Sequence, residues 1–368
     1  MVTYLFHAML VVLTLASAVS AQATSATNHA PRYDEYDVTQ YVSCRGLGPA
    51  NVMRLDNNGD LVLACRGGKT REQLRSAGIE FSESQLVLLE CYRIIKTTGD
   101  TTRTVVPFLD EAETSKLREL TKSLAAGIVP VIRNDIIDFR DYMRSIGLEN
   151  NTYSIVFSLA LDGLIWDVLR ERNLVAGTSI TSEKPFWNGV VWGVYPPRKF
   201  SPGTNSRSNG TMMLAVNWSD DSWPLIRPYW SQRVYFDSLF NDYLDDGTIA
   251  SVSTREFFAP LKIIDSNGRI TLPIIAESPS DPIYHRCRVF TEKVADEFLA
   301  RVELANIASE FGLVDNNEAV VILYHDLMWD ILDVLEKDDL VERPLAFSQP
   351  VDAPPESIAD LMFIVTSK

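Results

Sequence analysis

Two stretches of the chain carry the strongest apolar patterning, Tyr153 to Val175 and Ala319 to Val341, and both read as apolar helices. Laid over one another at an offset of 166, Leu161, Ile165, Asp167, Val168, Leu169, Leu174 and Val175 recur as Leu327, Ile331, Asp333, Val334, Leu335, Leu340 and Val341. The match continues upstream. Glu149-Asn150-Asn151 answers Asp315-Asn316-Asn317, and Pro107 answers Pro273, at the same offset. Gly78 and Ile94-Ile95 correspond to Gly247 and Ile263-Ile264 at an offset of 169, and an intervening loop absorbs the three-residue difference. Lys184-Pro185 is echoed by Arg343-Pro344. Blocks recurring in the same order predict two diverged copies of one unit, residues 41–182 and 231–368.

Within the first copy, Lys69 to Gly78 and Ser82 to Cys91 have helical character, with Ser82 placed as an N-cap. Tyr92 to Ile95, the turn Thr97-Thr98-Gly99-Asp100, and Thr104 to Pro107 predict a β-hairpin, and a helix follows from Asp110 to about Ala126. The second copy repeats the order with Phe236 to Leu244, Ser253 to Phe258, a hairpin from Leu261 to Pro273 around Asp265-Ser266-Asn267-Gly268, and a helix after Phe290. Helix, turn, helix, hairpin resembles a winged helix. The fold class expected is therefore α+β: two tandem winged-helix-like units, each leading into a helical hairpin, with a Trp-rich β insertion at residues 183–230 between them.

A winged helix implies DNA binding, but the charges oppose it. The two would-be recognition helices, Ser82 to Cys91 and Ser253 to Phe258, carry Arg255 against Glu83, Glu90 and Glu256. Over the whole chain 49 acids face 34 bases, a net charge of −15, which repels a phosphate backbone. Nucleic acid is excluded as the main partner, and the module reads as one for packing or protein interaction.

The chain opens with an apolar core from Leu5 to Ser17, followed by small residues ending in Ala21-Gln22-Ala23. That core is shorter than the roughly 20 residues of a bilayer span, so residues 1–23 read as a cleavable secretory signal. Residues 24–40 read as a flexible lead-in. The expected location is secreted or periplasmic, with no transmembrane segment after cleavage. Hydrophobic residues at 46% and charged residues at 23% give the remainder the composition of a globular protein.

In the segment between the copies, Phe186 to Tyr195 and Thr211 to Trp218 read as strands joined by a Pro, Gly, Ser and Asn-rich loop from Pro196 to Gly210. Five of the seven tryptophans lie there, Trp187, Trp192, Trp218, Trp223 and Trp230. Exposed in one patch, Trp187, Trp192 and Trp218 would stack on sugar rings of a glycan; buried, they would cover the faces of the helical copies.

Cys44 and Cys65 bracket a short segment around Asp56-Asn57-Asn58-Gly59-Asp60 and predict a stapled hairpin, while Cys91 and Cys287 read as buried thiols or a second bridge. The Asp56 to Asp60 turn lacks the distal Glu of a calcium loop. No metal site, cofactor motif or nucleophile elbow is legible. Tyr324-His325-Asp326 is the one acid–base group, opposite Ser158-Leu159-Ala160 in the first copy; Asp326, Asp330 and Asp333 read as a solvated acidic stripe. Asn150, Asn209 and Asn217 begin glycosylation sequons. The expected function is an exported non-catalytic binding protein, contacting a protein or cell-surface polymer through the insertion or the groove between the copies. The alternatives are a secreted hydrolase using His325 with nearby carboxylates such as Asp326, and a structural protein of the cell envelope.

Overall fold

The structure is a computed structural model that describes residues 31–175 and 177–367, so the expected signal segment lies outside the described residues. It is mixed α+β, with helices dominating three small sheets. In chain order the first half contains β1 (Asp37–Cys44), α1 (Pro49–Met53), α2 (Asn58–Ala64), β2 (Lys69–Thr70), α3 (Arg71–Ser76), α4 (Glu83–Cys91), β3 (Ile95–Thr98), β4 (Thr101–Thr104), β5 (Phe108–Leu109) and the long α5 (Glu111–Ser145). It continues through α6 (Thr152–Ser154), a π-helical run (Ile155–Leu164), α7 (Ile165–Glu171) and β6 (Trp187–Val194). The second half contains β7 (Gly203–Ser208), β8 (Met212–Trp218), α8 (Trp223–Trp230), α9 (Arg233–Asp246), α10 (Val252–Phe258), β9 (Ile274–Ala276), α11 (Pro282–Arg301), α12 (Leu304–Glu310), α13 (Asn316–Lys337) and β10 (Met362–Thr366).

The helix starts follow from capping chemistry. Ser82 accepts the Gln85 N–H ahead of α4, and Ser251 accepts the Thr254 N–H ahead of α10. Asp110 and Asp281 each accept two N–H groups at the starts of α5 and α11. Helix α5 runs well past Ala126. Its apolar stripe continues through Ile128, Ile132, Ile136, Phe139 and Met143, all fully buried, and that burial outweighs the backbone bond lost at Pro130.

The two halves repeat one pattern of strand pairing. Strand β6 lies between antiparallel β1 and parallel β5; β10 lies between antiparallel β8 and parallel β9. The Gly193 N–H donates to the Pro107 carbonyl at 2.9 Å, and the Ile364 N–H to the Pro273 carbonyl at 2.8 Å. Strands β3 and β4 pair with Ile95 opposite Thr104, while in the second half Ile264 and Ile270 form an isolated bridge. Left-handed backbone recurs at Gly78 and Gly247, Arg93 and Lys262, Gly99 and Gly268, and Asn173 and Asp339. For Arg93 and Lys262, bulky residues that rarely adopt it, this conformation is set by the turn into the hairpin.

Several expectations change. The strands of residues 183–230 do not form a sheet of their own: β6 pairs with β1 and β5, and β8 with β10 as well as β7. Strand β1 begins within the segment read as lead-in, and β7 forms within the stretch read as a loop. Residues 45–64 hold helices α1 and α2 rather than a hairpin. The Cys44–Cys65 bridge is not made, because Cys44 is exposed at the end of β1 while Cys65 is buried behind α2; all four cysteines are free.

The helices cross between the halves. Helix α5 packs against α11 and α13, while α11 packs against the π-helical run and α7. The π-helical run of the first half meets β7, and α13 of the second half meets β6. One core therefore spans both halves; a smaller one, around Val52, Met53, Leu61 and Leu89, lies under α1 to α4. The stretch Glu149–Glu171 is long and apolar enough to cross a membrane, yet 83% of its apolar window is buried inside the protein.

Candidate functional site

The π-helical run is ten residues long, a conformation that occurs mostly as single turns and frequently at functional sites. Gly163 permits it, since a Cβ there would meet the Ser158 carbonyl oxygen at 2.8 Å. At the matching position of the second half stands Trp329, and α13 is an ordinary α-helix. Beside the run, β7, β8 and β10 form the other wall of a cleft of about 490 Å³.

Asp162 lines this cleft. Its Oδ2 lies 3.1 Å from Thr204 Oγ1, which lies 2.6 Å from Ser158 Oγ. The Ser158 hydroxyl donates to Asn217 Oδ1, and Asn217 Nδ2 donates to the Ser154 carbonyl at 3.4 Å. Burial pushes the Asp162 pKa up to about 6, against the lowering effect of hydrogen bonds from Thr204 and the Trp166 indole. Among the described residues no basic side chain lines the cleft, whereas Asp167 and Glu277 do. Apolar contact is offered by Met212 and Phe363. A carboxyl held near neutrality in a concave, half-apolar site is the combination expected of a small-molecule site.

None of the candidate residues singled out from sequence lines this cleft, and among them His325 and Trp192 pack together elsewhere. His325 is partly buried, with the rings of Trp192 and Trp329 edge-on at 5.0 and 4.6 Å. Burial, with the nearby Arg198 charge, lowers its pKa to about 3, so the imidazole is neutral. Asp326 and Asp330 are not a solvated stripe. Both are buried and share Arg198, whose Nε lies 2.5 Å from Asp326 Oδ1 and whose Nη1 lies 2.8 Å from Asp330 Oδ1. Thr121 donates to Asp330 Oδ2 at 2.5 Å, closing the cluster from α5.

The tryptophans do not share a patch. Trp192 is 3% exposed in the large core; Trp187 packs on the small core and its indole N–H donates to the Tyr92 carbonyl. Trp218 is half-buried against Trp223. Among the described residues no group of three or more His, Cys, Asp or Glu is placed to hold a metal ion. Sequence reasoning passed over Asp162, although it is the one charged residue between Asn151 and Trp166, inside an otherwise apolar helix. Comparison with family models, curated proteins and solved structures finds no match to this chain.

Proposed function

We propose that this chain is an exported, non-catalytic binding protein that holds a small ligand, free or at the end of a cell-surface polymer or protein, in the cleft beside Asp162. The observation that carries this reading is the juxtaposition of the π-helical run with β7, β8 and β10 around a recessed carboxyl. On the same reading the two halves are diverged copies of a winged-helix-like unit. Matching strand pairings and left-handed positions support this, as does α2, β2, α3, α4, β3 and β4 following winged-helix order with the sheet order β2-β4-β3. The cleft then falls between the copies, with Ser158 to Asp167 from one and Glu277, Tyr284 and Phe363 from the other.

The test is a fragment-library screen by ligand-observed NMR, repeated on Ser206→Trp. Ser206 is exposed on the cleft wall, so an indole there fills the cleft without entering the core. The reading requires binders that compete with one another and are lost in the variant; binders that survive Ser206→Trp refute it.

A further inference from the structure

The hydroxyl chain beside Asp162 is one proton short. Three contacts link Asp162 to Thr204, Thr204 to Ser158, and Ser158 to Asn217. The Asn217 amide points its Nδ2 at the Ser154 carbonyl, so its Oδ1 can only accept from Ser158. Ser158 and Thr204 supply one proton each, enough for two of the three contacts. With Thr204 donating to Asp162 and Ser158 to Asn217, the Ser158–Thr204 contact at 2.6 Å is left without a proton. A proton on Asp162 reverses the first bond, so that Asp162 donates to Thr204, Thr204 to Ser158, and Ser158 to Asn217, and all three contacts are satisfied.

Among the described residues, the surroundings give Asp162 no cation to replace that proton. The acids facing the cleft are Asp167 from α7 and Glu277 after β9; Tyr284 faces it from α11, and the buried Tyr324 hydroxyl of α13 donates to the Leu161 carbonyl nearby. Arg170 is spent on Asp167 at 2.6 Å, and Arg288 on Glu171 and Glu292. Strands β7, β8 and β10 offer hydroxyls and apolar groups to the cleft and no base.

We propose that the cleft receives its ligand through an ammonium group, which takes the place of the proton on Asp162. The neutral carboxyl releases H⁺ to solvent, the ammonium keeps its own protons, and the pair formed is carboxylate with cation. Met212 and Phe363 provide contact for an apolar body behind the amine. This rests on the binding reading above. Exchange of one proton for one ligand makes the affinity fall tenfold for each pH unit well below the Asp162 midpoint.

The probes are phenethylammonium and its neutral isostere 2-phenylethanol, titrated calorimetrically at pH 5, 6 and 7.5 in two buffers of different ionisation enthalpy. The expected result is preference for the ammonium at pH 7.5, a loss of about fivefold between pH 6 and 5, and close to one proton released at pH 5. Asp162→Asn, checked for folding by circular dichroism, should abolish both the preference and the proton release. Thr204→Val keeps the carboxyl and breaks the chain, so it should shift the pH midpoint while the ammonium preference persists. Equal binding of both probes at every pH overturns the ammonium assignment and leaves the binding reading standing. Binding of neither probe overturns the assignment, and the fragment screen alone then decides the broader reading.

Discussion

Removing the guanidinium of Arg198 isolates two carboxylates in the interior. The Asp326 and Asp330 side chains are 7% and 2% exposed and Arg198 is 9% exposed, so little water reaches any of them. In Arg198→Ala, Asp330 keeps the Thr121 hydroxyl, and Asp326 keeps only Arg118, whose Nε stands 3.8 Å from Oδ2. Breaking one partner from a buried pair typically destabilises by about 3–5 kcal/mol. With a urea m-value of about 3 kcal/mol per M, that lowers the unfolding midpoint by about 1–1.7 M. A quadruple variant, Arg198→Met with Arg118→Met, Asp326→Leu and Asp330→Leu, removes the charges of the cluster together and should recover most of the loss. The measurement is urea unfolding followed by far-ultraviolet circular dichroism, with Arg170→Ala as a surface control expected below about 1 kcal/mol. An Arg198→Ala loss no larger than the control's would refute the reasoning, because it would mean that the carboxylates are solvated.

Stability should depend on pH through two groups of opposite sign. His325 has its folded pKa lowered to about 3, so between about 6.5 and 3 the unfolded chain takes a proton that the native one refuses, and stability falls with pH. His325→Phe should flatten that fall, read as urea midpoints from pH 4 to 7. Asp162 has its pKa raised to about 6, so the native state holds the extra proton and gains stability as pH falls from about 6 towards 4; Asp162→Asn should remove this gain. A thiol reagent should label exposed Cys44 and Cys91 in the native protein and reach Cys65 and Cys287 only in denaturant. Expressed in a glycosylating host, the protein should carry glycan at Asn150 or Asn209 and none at Asn217, which is 0% exposed and bonded through its amide; intact-mass analysis after Asn217→Gln, unchanged in glycan content, checks this.

Local signals in the sequence carried far; pairings at a distance did not. Ser82 as a cap, the hairpin turns and the start of α5 depend on neighbours within a few residues, and the chain spells them out. The Ile-Ile blocks recur in the sequence, but Ile94 and Ile95 are buried in the small core and Ile263 in the large one, a division that only the folded chain displays. Periodicity alone made Asp326, Asp330 and Asp333 a wet stripe, since the partner that draws two of them inside, Arg198, lies far off along the chain. Strand β7 carries Gly, Ser and Asn, residues of low strand preference, and is held by pairing with β8. Asp162 was hidden by its setting: a single acid in an apolar helix has no motif until Thr204 and Ser158 are seen beside it.

The position of β10 bears on the order in which the chain can fold. Its Ile364 pairs with Leu214 on one side and Ile274 on the other, and on the first side the pairing spans most of the second half. Strand β6 does the same for the first half, joining Val38 to Gly193. Neither sheet can close until its last strand has arrived, and sequence-distant pairings of this kind slow folding. Whatever the chain's destination, each sheet stays open while its closing strand is still being made, so an N-terminal portion of the chain is held short of its final compaction.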